Sequence, residues 1–64
     1  MNKLKQIESM LHAKGYNAHI EKYSVYAHKG TKKLTEFEIR EALSDMGESI
    51  HVYPLRFGVK VMPK

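Results

Sequence analysis

His19 and His51 are each the fifth residue of a stretch that begins with glycine, GYNAHI and GESIHV, thirty-two residues apart. Two imidazoles brought together can bind a metal ion or act as acid and base in RNA cleavage. Glu21 is the nearby carboxylate that can complete such a set. Metal sites usually want a third protein ligand, and neither histidine has the spacing of a known metal motif. Ordinary surface histidines are the simpler account, and no metal or other cofactor is expected. The chain has no Ser/His/Asp pattern, paired-carboxylate pocket or glycine-rich cofactor fingerprint. A chain of 64 residues also has little room for an enclosed substrate cavity, so it reads as a non-enzyme with no small-molecule substrate.

A second chemistry is carried by aromatic and cationic residues. Tyr26 and Tyr53 can serve as platforms for unpaired bases, His19 and His51 can add to them, and Arg56 and Lys60 can track phosphates. The loop HKGTKK supplies Lys29, Lys32 and Lys33 just before a helix start, where a bound anion would suit both the lysines and the helix dipole. A solvated basic linker explains those lysines as well, and the loop lacks the spacing of a phosphate-binding P-loop. The net charge of +4 is modest, and all of the excess lies in residues 1–32. It favours polyanionic partners without demanding them.

These residues need elements to position them. Leu4, Ile7, Met10 and Leu11 recur at helical spacing after Asn2, a helix cap, and Gly15 supplies the left-handed residue that ends helices. Thr35 and Glu38 form a capping box, with Leu34 and Ile39 as its hydrophobic staple. The second helix then carries its stripe on Ile39, Ala42, Leu43 and Met46 to a stop at Gly47. After each glycine the period changes to two. Ala18, Ile20, Tyr23, Val25 and Ala27 share one face, as do Ile50, Val52, Leu55, Phe57, Val59 and Val61. Reversals at Glu21-Lys22 and at Tyr53-Pro54 would make two hairpins, with a cis proline turn one option for the second and an edge strand running on through Pro54 the competing reading.

Sliding the chain by thirty-two residues aligns Ile7 with Ile39, Leu11 with Leu43, His19 with His51, Val25 with Phe57 and Ala27 with Val59. That is a helix–hairpin repeat of halves 1–32 and 33–64 within a single domain, although a helical period and a glycine stop create some of the matches unaided. The expected fold is α+β, a two-layer αββαββ sandwich with two helices on one face of a four-stranded, mainly antiparallel sheet. Its open face would hold Asn17, His19, Glu21, Ser24, Tyr26, His28, Ser49, His51, Tyr53, Arg56, Gly58, Lys60 and Met62. Acidic residues gather on the second helix instead.

The leading expectation is a small binding module for single-stranded RNA or DNA, working through that face. The alternative is a protein-interaction module: a homodimer, or a small regulator of the phage or plasmid type that binds a larger protein. It would use a sheet edge in RFGVKVMPK, with Val59 and Val61, or an exposed Phe37, and the lysines of the first helix could attract the acids of the second within or between subunits. With no cysteine, no signal-peptide core and no apolar run long enough to span a membrane, the expected setting is cytoplasmic, with no membrane partner.

Overall fold

The structure, a computed structural model, describes residues 3–64. Its elements follow the order α1 (Lys3–Ala13), β1 (Asn17–Glu21), β2 (Ser24–His28), α2 (Glu36–Ala42), a 3₁₀ turn (Ser44–Met46), β3 (Ile50–Pro54) and β4 (Gly58–Pro63). The four strands form one antiparallel sheet in the order β1-β2-β4-β3. Helix α1 packs on β1, β2 and β4, and α2 packs on β3. This is the two-layer α+β sandwich expected from the alternating periods. Among the described residues no helix is long and apolar enough to cross a membrane. The Asn2 cap falls outside the described residues.

Helix α1 ends in a Schellman motif. Gly15 takes φ 91°, its N–H donates to the His12 carbonyl at 3.0 Å, and the Tyr16 N–H reaches back to the Leu11 carbonyl at 3.0 Å. Helix α2 begins at Thr35, whose hydroxyl accepts the Glu38 N–H at 3.1 Å. The Glu38 carboxylate instead accepts from Lys32 Nζ at 3.2 Å. The helix does not run unbroken to Gly47. Its last α-helical residue is Ala42, and a 3₁₀ turn follows, with the Met46 N–H on the Leu43 carbonyl at 2.8 Å. Ser44 and Asp45 weaken the helix interior by competing for backbone hydrogen bonds. Three residues per turn keep Leu43 and Met46 on one side, and both stay buried.

The core lies between the layers. Ile7, Leu11, Leu34, Ile39, Leu43, Ile50, Val25, Val59 and Val61 are fully buried, each contributing roughly 1.5–3 kcal/mol before chain entropy is set against it. Leu4, Met10, Tyr16 and Ile20 pack against its margin.

Both hairpins turn later than the sequence suggested. In the first, Ile20 pairs with Val25 and Ala18 with Ala27, so the loop is Lys22-Tyr23, with Lys22 in the left-handed region at φ 53°. Tyr23 is therefore loop, not strand, and is 80% exposed. In the second, Val52 pairs with Val61 and Ile50 with Pro63. Residues 55–57 form its loop, closed by the Leu55 N–H on the Gly58 carbonyl at 2.7 Å. Leu55 and Phe57 leave the core face for solvent. Pro54 ends an edge strand, and its peptide bond is trans.

The matched positions of the two halves do not keep one constant shift. Helix residues and β1/β3 correspond thirty-two positions apart, whereas the partners of Ile20 and Val52 are Val25 and Val61, thirty-six apart. Val25 therefore corresponds to Val61 rather than to Phe57. The two also pair with each other across the β2–β4 seam.

Candidate nucleic-acid interface

The register builds a row across the face that the helices leave uncovered. His19 pairs with Tyr26, Tyr26 with Lys60, and Lys60 with Tyr53, so one residue from each strand lies side by side from β1 to β3. Paired residues point to the same side of a sheet, and neighbouring strands lie about 4.8 Å apart, so Tyr26 and Tyr53 stand roughly 10 Å apart with the Lys60 stem between them. The adjoining row pairs Asn17 with His28 and His28 with Gly58. On its other side His51 pairs with Met62 and Glu21 with Ser24.

The rings touch in two groups. Tyr26 stacks on His28 at a centroid distance of 5.3 Å and 28° between planes, and it meets His19 at 5.3 Å and 59°. His51 stacks on Tyr53 at 6.1 Å and 30°. Gly58 explains the pose of Tyr26. A Cβ built on Gly58 would lie 3.0 Å from the Tyr26 hydroxyl and 3.1 Å from its Cε1, so the tyrosine ring reaches across to β4 and lies over the glycine. Tyr26 is half-buried for that reason, while Tyr53, on an edge strand, is 47% exposed. Glu21 is the one carboxylate on this face among the described residues, and it holds His19 Nε2 at 3.1 Å.

Other anticipated members fall elsewhere. Arg56 is in the β3–β4 loop, its guanidinium 5.6 Å from the Phe57 ring centre, not in the strand row. Of the loop lysines, Lys29 lies 5.3 Å above the Tyr16 ring and Lys32 is paired with Glu38. That leaves Lys33 exposed, with neither an ion pair nor a ring contact. The Lys32 hydrogen bond, the leading influence, holds the Glu38 carboxyl below its usual range. Burial, helped by the neighbouring Glu38 charge, pushes the Tyr16 phenol up. His19 and His51 do not approach each other, since β1 and β3 are opposite edges of the sheet. No group of three potential metal ligands occurs among the described residues.

The interface residues of the alternative reading divide. Val59 and Val61 are fully buried on a central strand, so they form core and not an edge surface. Phe37 is 75% exposed and borders a hollow shared with Lys14, Tyr16 and Glu41. The ion pairs of the described residues are His19–Glu21, Lys32–Glu38 and Arg40–Glu36, and none joins α1 to α2.

The two sheet edges differ. A two-residue hairpin closes on a hydrogen-bonded pair, so alternation turns the backbone groups of Ala18 and Ile20 outward along β1. His12 Nε2, from α1, donates to that Ala18 carbonyl at 3.0 Å. On β3 the Lys64 N–H bonds the Ser49 carbonyl and the Leu55 N–H bonds the Gly58 carbonyl, which turns the groups of Ile50 and Val52 outward. Among the described residues no side-chain hydrogen bond caps them as His12 caps Ala18, yet Ile50 and Val52 are both buried, so little of this edge meets solvent.

Sequence reasoning missed three of these features: Gly58 as a seat for Tyr26, Lys32 as the partner of Glu38, and His12 as a guard of β1. A glycine within an alternating strand was the available signal for the first, since such a glycine often marks a close approach. The other two depend on tertiary placement. Comparison with protein-family models, curated proteins and solved structures yields no match, so any functional reading rests on the face itself.

Proposed function

We propose that this protein is a small, non-enzymatic module that binds single-stranded nucleic acid across its open sheet. The row His19–Tyr26–Lys60–Tyr53 carries the reading. Two aromatic stations flank a central ammonium, so bases can stack at both ends while Lys60 meets the phosphate between them. The acids Glu36, Glu38 and Glu41 belong to α2, in the opposite layer, and among the described residues Glu21 is the one side-chain carboxylate in the strand rows of this face. A cytoplasmic setting belongs to the same proposal, because single-stranded RNA is abundant there. Amide shifts during titration with a short oligouridylate provide the test. Shifts should cluster on the strand rows and weaken as salt rises. Tyr26→Ala or Tyr53→Ala should cost about 1–3 kcal/mol of affinity with the fold intact. A titration that leaves residues 19, 26, 53 and 60 unmoved at low salt defeats the proposal.

The 75% exposure of Phe37 favours a second reading, in which a partner protein, or a second copy, packs against the outer side of α2. A dimer mass in solution that is lost in Phe37→Ala would support it over the first.

A further inference from the structure

We propose that the hollow at the β1–β2 hairpin end of the open face is where a bound strand is read for sequence, and that it accepts a guanine. This rests on the reading that the face binds single-stranded nucleic acid. The hollow has a volume of about 480 Å³ and is lined by Glu21, Lys22, Tyr23, Ser24, Lys60 and Met62. That size is ordinary for a small-ligand site, which runs from about 300 to 1,000 Å³. Lys60 lines it and also stands at the middle of the row, so a strand stacked on Tyr26 passes its rim.

The lining has the parts of a nucleotide site. The Tyr23 ring and the Met62 thioether offer apolar walls to a flat base. Lys22 and Lys60 offer cations to the flanking phosphates. Glu21 is the informative member, since a carboxylate on a surface that attracts a polyanion is repulsive unless it accepts hydrogen bonds from the ligand. The His19 contact at 3.1 Å occupies one site on Oε2 and steadies the carboxylate. A carboxylate has about four lone-pair sites, so acceptor capacity remains for a base. Guanine presents two neighbouring donors, N1–H and N2–H, at the spacing of two carboxylate oxygens. Adenine, cytosine and uracil present no such pair on their Watson–Crick edges.

The experiment compares three RNA hexamers: all uridine, the same with one central guanosine, and the same with one central inosine, which lacks the N2 donors. Each is titrated into the wild-type chain and into Glu21→Gln, whose fold is checked by its amide spectrum; the site is exposed, so the variant should fold. The guanosine hexamer should bind wild type about tenfold more tightly than oligouridine, in line with a two-point base contact, with shifts at Lys22, Tyr23 and Ser24. Inosine should lose most of that gain. Glu21→Gln should bring the guanosine hexamer down to the oligouridine level without weakening oligouridine. Equal binding of the three hexamers to wild type overturns the guanine site and leaves the stacking face standing. A guanosine preference that survives in Glu21→Gln also overturns it. If no hexamer binds, the stacking face and the guanine site fail together.

Discussion

Replacing Gly58 with alanine places a methyl group where β2 and β4 leave no space for it. The new Cβ would lie 2.5 Å from the Ala27 carbonyl oxygen as well as against the Tyr26 ring. The ring can swing away, but the carbonyl belongs to the backbone of the adjoining central strand and can move only by straining the pairing of His28 with Gly58. Overpacking of this kind costs about 1–3 kcal/mol, and relief of glycine's extra chain entropy returns about 0.5–1 kcal/mol. Because the 2.5 Å contact is with backbone, the cost falls in the upper part of its range, and the net loss is about 1–2 kcal/mol. A domain this size has roughly 3–10 kcal/mol of stability in all, so the loss should be plain. Thermal unfolding followed by circular dichroism should show the midpoint fall by roughly 5–15 °C. The nucleic-acid affinity of the folded variant should fall as well, because Tyr26 loses its seat. An alanine variant with an unchanged or raised midpoint would refute the close approach, since in open space the entropy gain alone would stabilise it.

Thr35→Ala should cost about 1 kcal/mol in urea unfolding through loss of the α2 cap, and Thr35→Ser should recover most of it. The lowered Glu38 carboxyl contributes stability that is present above the ordinary carboxylate range and lost as pH falls through its own lower value. Glu38→Gln should therefore flatten the acid limb of the stability profile. Tyr16, raised, contributes in the other sense: its share is present below the ordinary tyrosine value and lost as pH rises through the raised one. Ring signals should show Tyr16 ionising late, and Glu38→Gln should bring it only part of the way down, because burial is the larger cause. His12→Ala should cost about 0.5–1.5 kcal/mol in the same unfolding assay by freeing the Ala18 carbonyl on the β1 edge.

Element identity was legible because the hydrophobic period reports which face of a helix or strand meets the core. Ile7, Leu11, Ile39 and Leu43 were readable for that reason, as was the side of the sheet to which Tyr26, Tyr53 and Lys60 belong. Register was not legible. A period of two is unchanged by a slip of two, four or six residues, so alternation placed Val59 and Val61 on the correct side, while a reversal at Tyr53-Pro54 set Val52 beside Leu55 and Ile50 beside Phe57. Neither turn advertises itself either: Lys22 adopts a left-handed conformation without being glycine or asparagine. The second loop admitted Leu55, Arg56 and Phe57 because apolar and cationic residues continue the strand pattern through it. The candidate face thus kept its central row and lost Arg56.

The seam between β2 and β4 also sets an order of events during folding. Each hairpin closes a loop of two or three residues, but Val25 and Val61 meet across thirty-six positions of chain. For an unstructured intervening chain that closure costs about 2.5 kcal/mol more than either hairpin. Both hairpins can therefore form while the sheet is still in two pieces. Neither piece has a complete core until Val25 meets Val61, so the rate-limiting step should be the meeting of two preformed halves. Shortening the 29–33 connection would then speed folding more than strengthening either turn.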